Sequence, residues 1–180
     1  MSYTLKGSSD IIAVASEGVF EYEVDLAVLL DTLLTTPATV IAAYIINELA
    51  IMSRPVDGDD WPLYISHMPD GVNVKTNCGC IYDTTGIKDG RLMVGDVIPH
   101  HGIQIRIRSN NHETGWDKIE EIVSYLDAVT NVLVTVDDEQ YLLNNVSRAS
   151  PIASLGQEAG SAKRRFLFTV NYLVTMKRII

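Results

Sequence analysis

Residues 102–109, Gly-Ile-Gln-Ile-Arg-Ile-Arg-Ser, set isoleucines at 103, 105 and 107 against Gln104, Arg106 and Arg108. This period-two alternation predicts a strand buried on one face, with the isoleucines inward and the arginines outward. A polar corner follows, and beyond it Trp116, Ile119, Val123 and Leu126 recur every three or four positions. Asp117, Lys118, Glu120 and Glu121 fall on the other side. That spacing predicts an amphipathic helix of about four turns, with Thr114 as its N-cap and Asp117 as a weak capping partner. "NVLVTV" from Asn131, the acidic turn "DDEQ" and "YLLNNVSRAS" from Tyr141 read as a hairpin. In "RRFLFTVNYLVTM", Phe166, Phe168, Val170, Tyr172, Val174 and Met176 share one face, so the last strand carries a core-facing stripe.

The N-terminal half changes period. Leu26, Leu29, Leu30 and Leu33 recur at helical spacing, and Pro37 suits the first turn of a second helical stretch with Val40, Ile41, Tyr44, Ile45 and Leu49 on its apolar side. Two short helices, or one bent at "TTP", fit equally. "SRPVDGDDWP" breaks the pattern as a loop. "LYISH" (Leu63 to His67) and "CGCIYDTT" (Cys78 to Thr85) read as short strands, and "PHHG" as a surface turn before the strand at 102. The polar, small opening residues suggest a flexible arm over 1–20, and "PIASLGQEAGSAK", Pro151 to Lys163, a long loop of the kind that is functional or disordered. The expectation is a single α+β domain over 21–180, a mainly antiparallel sheet with helices packed on one face.

Composition narrows the partners. At 180 residues and 47% hydrophobic, the chain buries roughly 70% of its unfolded surface in one core. The net charge of −9 is uneven: residues 1–100 carry 14 acidic against 5 basic groups, and residues 101–180 carry 9 of each. Such a chain repels polyanions on average, which argues against a dedicated nucleic-acid or anionic-membrane binder. The longest apolar run, Val40 to Ile46, is far shorter than the ~18 residues of a membrane span, and the start lacks a secretory signal. A cytosolic protein is expected, with Cys78 and Cys80 reduced and structural.

Candidate chemistry is thin. His67, His100, His101 and His112 flank no nucleophile motif, and adjacent histidines in an extended chain point to opposite sides rather than at one metal. "DGDD", Asp57 to Asp60, lacks the remaining ligands of a calcium loop. No catalytic, cofactor or metal residue is expected. Arg106 and Arg108, with Lys163, Arg164 and Arg165, make either a basic patch or a solvated sheet face. No aromatics interleave with these arginines to stack bases, and guanidinium forks suit carboxylates equally well. In a chain rich in carboxylates, self-association is the physically reasonable use.

Taken in order, "IRIRS", then "GW", then "IEEIVSYLD", then Ser150-Pro151-Ile152, Leu155-Gly156, Arg164-Arg165 and finally Phe168, Val170, Asn171 and Tyr172 resemble the tail terminator and minor capsid (head-tail joining) proteins of long-tailed bacteriophages. The resemblance covers about 101–178, while Trp61 to His101 matches no part of the pattern. It implies a virion structural protein and no enzyme: a homo-oligomeric ring, commonly a hexamer, that caps the tail tube protein and meets a head completion or connector protein. Genome DNA passes its lumen without specific binding, which excess carboxylates in the lumen would favour. The implied location is the virion tail and neck, reached from the host cytoplasm. On this reading Arg106, Arg108, Asn110, His112, Leu155, Gly156, Arg164 and Arg165 are the interface candidates. Another neck, head-completion or minor capsid protein is the alternative. A small hydrolase using His100, His101 and Cys78 or Cys80, or a nucleic-acid-binding module, is more distant.

Overall fold

The structure is a computed structural model that describes residues 11–13, 22–23, 35–55, 61–70, 74–91, 97–158 and 164–179. The chain divides into two units, 1–36 and 37–180. In the first, β1 (Ile11–Ala13) pairs antiparallel with β2 (Tyr22–Glu23). The expected helical stretch through Leu26, Leu29, Leu30 and Leu33 lies outside the described residues, as does the expected arm apart from β1.

The second unit opens with α1 (Pro37–Ala43), as the proline predicts. The N–H of Ala38 donates to the Asp83 carboxylate at 3.0 Å, so a group remote in sequence satisfies part of the helix start. The helix then widens into a π-helical segment, Tyr44–Glu48, closed by Leu49 N–H on the Tyr44 carbonyl at 3.1 Å. The expected apolar positions Val40, Ile41 and Ile45 are fully buried.

The strands are β3 (Leu63–Ile65), β4 (Cys78–Arg91), β5 (Val97–Ser109), β6 (Thr130–Val136), β7 (Glu139–Arg148), β8 (Ala153–Gln157) and β9 (Phe166–Ile179), with α2 (His112–Leu126) between β5 and β6. They form one mixed sheet in the order β3-β4-β5-β9-β7-β6, and β8 pairs with β9 beside the end of β7. β3 runs parallel to β4; the other pairings in this sheet are antiparallel. The β6–β7 turn places Asp137 and Asp138 both at positive φ, the mirror-image geometry that matches the twist of a tight hairpin.

Ile103, Ile105 and Ile107 are fully buried, as their alternation predicts, and on β9 so are Phe168, Val170 and Val174, with Tyr172 1% exposed. They join one apolar cluster with Ile41 and Ile45 of the first helical stretch and Ile119, Ile122 and Leu126 of α2. The register places Ile103 opposite Tyr172, Ile105 opposite Val170 and Ile107 opposite Phe168, so two neighbouring strands present one continuous surface to the core.

Several expectations are corrected. β4 runs to Arg91 rather than ending at Thr85, and "PHHG" lies within β5 instead of forming a turn. The strand continues through Gly86, where a Cβ would sit 2.2 Å from the His100 carbonyl oxygen, and one at Gly102 would sit 2.4 Å from that of Thr85. The two glycines let the ribbon backbones close up around a bulge between Thr84 and Ile87. Helix α2 starts at His112, and its N-cap is Asn111, whose Oδ1 accepts from Glu113 N (2.8 Å) and Thr114 N (3.3 Å). Asn caps better than Thr, which moves the start three residues upstream of the expected cap. The loop expected from Pro151 to Lys163 contains strand β8.

Candidate functional site

The polar corner between β5 and α2 is tied down from outside. Asn77 Oδ1 accepts from Ser109 Oγ (3.2 Å) and from Asn110 N (3.0 Å), and the Ser109 hydroxyl accepts from Asn111 N (3.2 Å). Asn110 and His112 are exposed. The His112 ring lies parallel to Trp116 at 6.4 Å and edge-on to Phe166 and Phe168 at 5.4 and 5.1 Å, so an aromatic shelf supports it from inside. Gly115 makes the shelf possible, since a Cβ there would stand 2.5 Å from the Phe168 ring.

The arginines do not form a single outward patch. Arg106 is half-buried, donates from Nε to Gln104 Oε1 at 2.7 Å and lies over the Tyr82 ring at 5.0 Å. Arg108 is 1% exposed, so its expected outward placement is wrong. One Nη donates to the carbonyls of Pro69 (3.0 Å) and Lys75 (3.5 Å), and its buried Nε has no partner. Arg165, 2% exposed, bridges Asp70 (2.8 Å) and Glu158 (2.5 Å). The hydrogen bond it donates to Asp70 is the main reason its pKa lies above the ordinary arginine value. Arg164 alone of the four is exposed, at a φ of 45°.

The second face of β5 is therefore covered at Arg108 and half-covered at Gln104 and Arg106. Residues around Pro69 and Lys75 lie over it, and Cys78 and Cys80, which pair across the ladder with Arg108 and Arg106, are fully buried. Burial pushes both thiols up, and the guanidinium of Arg108 only partly offsets this at Cys78. A thiol held in its neutral form inside the protein is not an activated nucleophile. His100 is placed for structure as well, with Nδ1 2.6 Å from Thr175 Oγ1 on β9. Among the described residues no three His, Cys, Asp or Glu side chains come together as a metal site.

What stands outward is edge and apolar surface. All five residues of β8 are exposed, Leu155 by 53%, and Gly156 has φ +80° with no atom within 4 Å of where a Cβ would lie. On β4, Asp83 to Lys88 are exposed without interruption, and Ile87 is 56% exposed. An open groove of about 390 Å³ lies among α1, the π-helical segment, β3 and the end of β6, lined mainly by Ala42, Ile46, Pro55, Leu63, Ile65 and Val136. Among the described helices none is long and apolar enough to cross a membrane. Sequence reasoning missed Asp70, Glu158, Asn77 and Ile87. No local signal pairs Asp70 with an arginine 95 positions away.

Comparison with known proteins places the chain in a family. The family described as bacteriophage tail terminator protein matches residues 14–178, a span that includes the Trp61 to His101 stretch lying outside the motif pattern. No curated protein matches. One solved structure is similar at 16% identity and a TM-score of 0.36, covering 74% of this chain and 92% of that one, a likeness too loose to locate any element. The family match extends over most of the chain, so the protein belongs to the bacteriophage tail terminator family and is a structural component of the virion tail, not an enzyme.

Proposed function

We propose that copies of this chain close into a ring, a hexamer in the simplest case, that caps the tail tube, stops its polymerisation and offers its other side to a head completion protein. The carrying observation is the family match over 14–178. It is supported by the uncharged strand edges and large exposed apolar side chains among the described residues. Subunits in such a ring meet through two different surfaces related by a rotation that closes.

Within that reading the helices share one face of the sheet, and the interface draws on Arg106, Asn110, His112, Leu155, Gly156 and Arg164. Arg108 and Arg165 contribute from inside, by fixing the segments beneath it. The carboxylates of the acidic half line the lumen in part, where they repel the phosphate backbone and let DNA pass without binding. The protein assembles in the host cytoplasm and ends in the virion at the junction of tail and head. Light scattering of the purified chain, alone and with tail tube protein, tests the reading: a closed oligomer at tube ends is expected, and a monomer that binds no tube would refute it.

A further inference from the structure

We propose that the β4–β5 ribbon of one copy adds as a strand to the free edge of β8 in the next, bringing Ile87 of one against Leu155 of the other. This rests on the ring reading and names the contact that builds it.

Edge strands are ordinarily guarded by charges, prolines or cover, because their free N–H and C=O groups template pairing with other chains. Here none of the residues of β3, β6 or β8 is charged, in a chain of which 21% are. Unguarded edges on a protein that must stay soluble indicate edges that are paired in the working assembly. β8 is the most open of them: all five residues are exposed, and among the described residues β9 is its sole strand partner. The last residues of β6 are less free, since Thr135 and Val136 line the groove beside α1.

The ribbon has the complementary need. Its rungs Lys88 to Pro99 and Arg91 to Val97 lie beyond the β3 and β9 ladders and have no third strand paired to them among the described residues. A two-stranded ribbon with no further strand is marginal in water. Ile87 and Leu155 are 56% and 53% exposed. Pairing them buries both, and it joins two different surfaces, as a head-to-tail ring requires.

The contact cannot form within one chain. His100, opposite Ile87, touches Thr175 on β9, whereas Leu155 lies between the positions paired with Phe168 and Leu167. The two sites are thus about 25 Å apart along β9. Strand addition would bring opposed Cβ atoms to roughly 5 Å, close to what a disulfide spans.

The test mixes Ile87→Cys and Leu155→Cys chains under mild oxidation while light scattering follows the ring. Disulfide-linked pairs are expected from the mixture and from neither variant alone, because Cys78 and Cys80 are buried. Ile87→Asp is expected to lose the ring while keeping its melting curve. Rings that form with no such link overturn the contact and leave the ring reading standing. A wild-type chain that never assembles, alone or with tube protein, overturns both.

Discussion

Arg165 and Asp70, 95 residues apart in sequence, meet through Nη1 and Oδ1 at 2.8 Å, and the same guanidinium also holds Glu158 at the end of β8. One buried side chain thereby fastens the segment after β3 and the strand that carries Leu155 onto the start of β9.

Removing that charge leaves Glu158, 29% exposed, without its partner in a partly desolvated place. Arg165→Ala is expected to cost about 3 kcal/mol in urea denaturation. Asp70→Asn is expected to cost under about 1 kcal/mol, because the Asp70 side chain is 68% exposed and screened by water. Similar losses for both variants would show that Asp70 carries the clasp.

Arg106 and Arg108 separate in the same experiment. Arg108→Ala opens a cavity and orphans two carbonyls, a loss of about 2 to 3 kcal/mol. Arg108→Met leaves the same two carbonyls unpaired but fills the space and removes the burial cost of the guanidinium, so its loss is expected to be smaller than that of Arg108→Ala. Arg106→Ala gives up one hydrogen bond and a contact with Tyr82, about 1 kcal/mol, and leaves the fold intact.

Gly115→Ala reverses the ordinary helix preference. Alanine favours a helix interior by about 1 kcal/mol over glycine, yet its Cβ would meet the fully buried Phe168 ring at 2.5 Å and Ser109 Cβ at 2.9 Å. Overpacking is expected to win, with a net loss of about 1 to 2 kcal/mol and a changed tryptophan emission from Trp116. An unchanged or raised melting temperature would contradict the packing described.

Alkaline pH loosens the fold. Burial raises Tyr82 to about 12, helped by Cys80 and opposed by Arg106, and burial also raises Tyr172, Cys78 and Cys80. Each group binds its proton more tightly when folded, so its contribution is fully present below its unfolded pKa. It is lost as pH climbs toward the folded value. Unfolding free energy is expected to hold to about pH 8.5 and fall from there toward 12, with Tyr82→Phe flattening the slope above 10. A profile flat to pH 11 would contradict these shifts.

The elements readable in advance are those whose periodicity is sustained. Ile103 to Ile107, Trp116 to Leu126 and Phe168 to Val174 each repeat long enough to fix both element type and buried face. Alternation, however, only sorts side chains into two faces. It cannot show that a remote segment covers the second one, which is why Arg108 reads as outward and lies inside. β8 was not legible because "ASLGQ" has neither alternation nor β-branched residues, and its strand state comes from β9 alone. Among the interface candidates, the arginines come from the alternation and the basic patch, Asn110 and His112 from the polar corner, and Leu155 and Gly156 from the resemblance. Ile87 escaped because the expected strand ends at Thr85, whereas the close backbone approach at Gly86 carries it onward.

On the proposed function, this protein ends the tail tube. Adding it to polymerising tail tube protein and measuring tube lengths by electron microscopy tests that. Growth is expected to stop within the time of mixing, with rings of this chain on one end of each tube. Tubes that keep growing to the same lengths, with the protein absent from their ends, would contradict it.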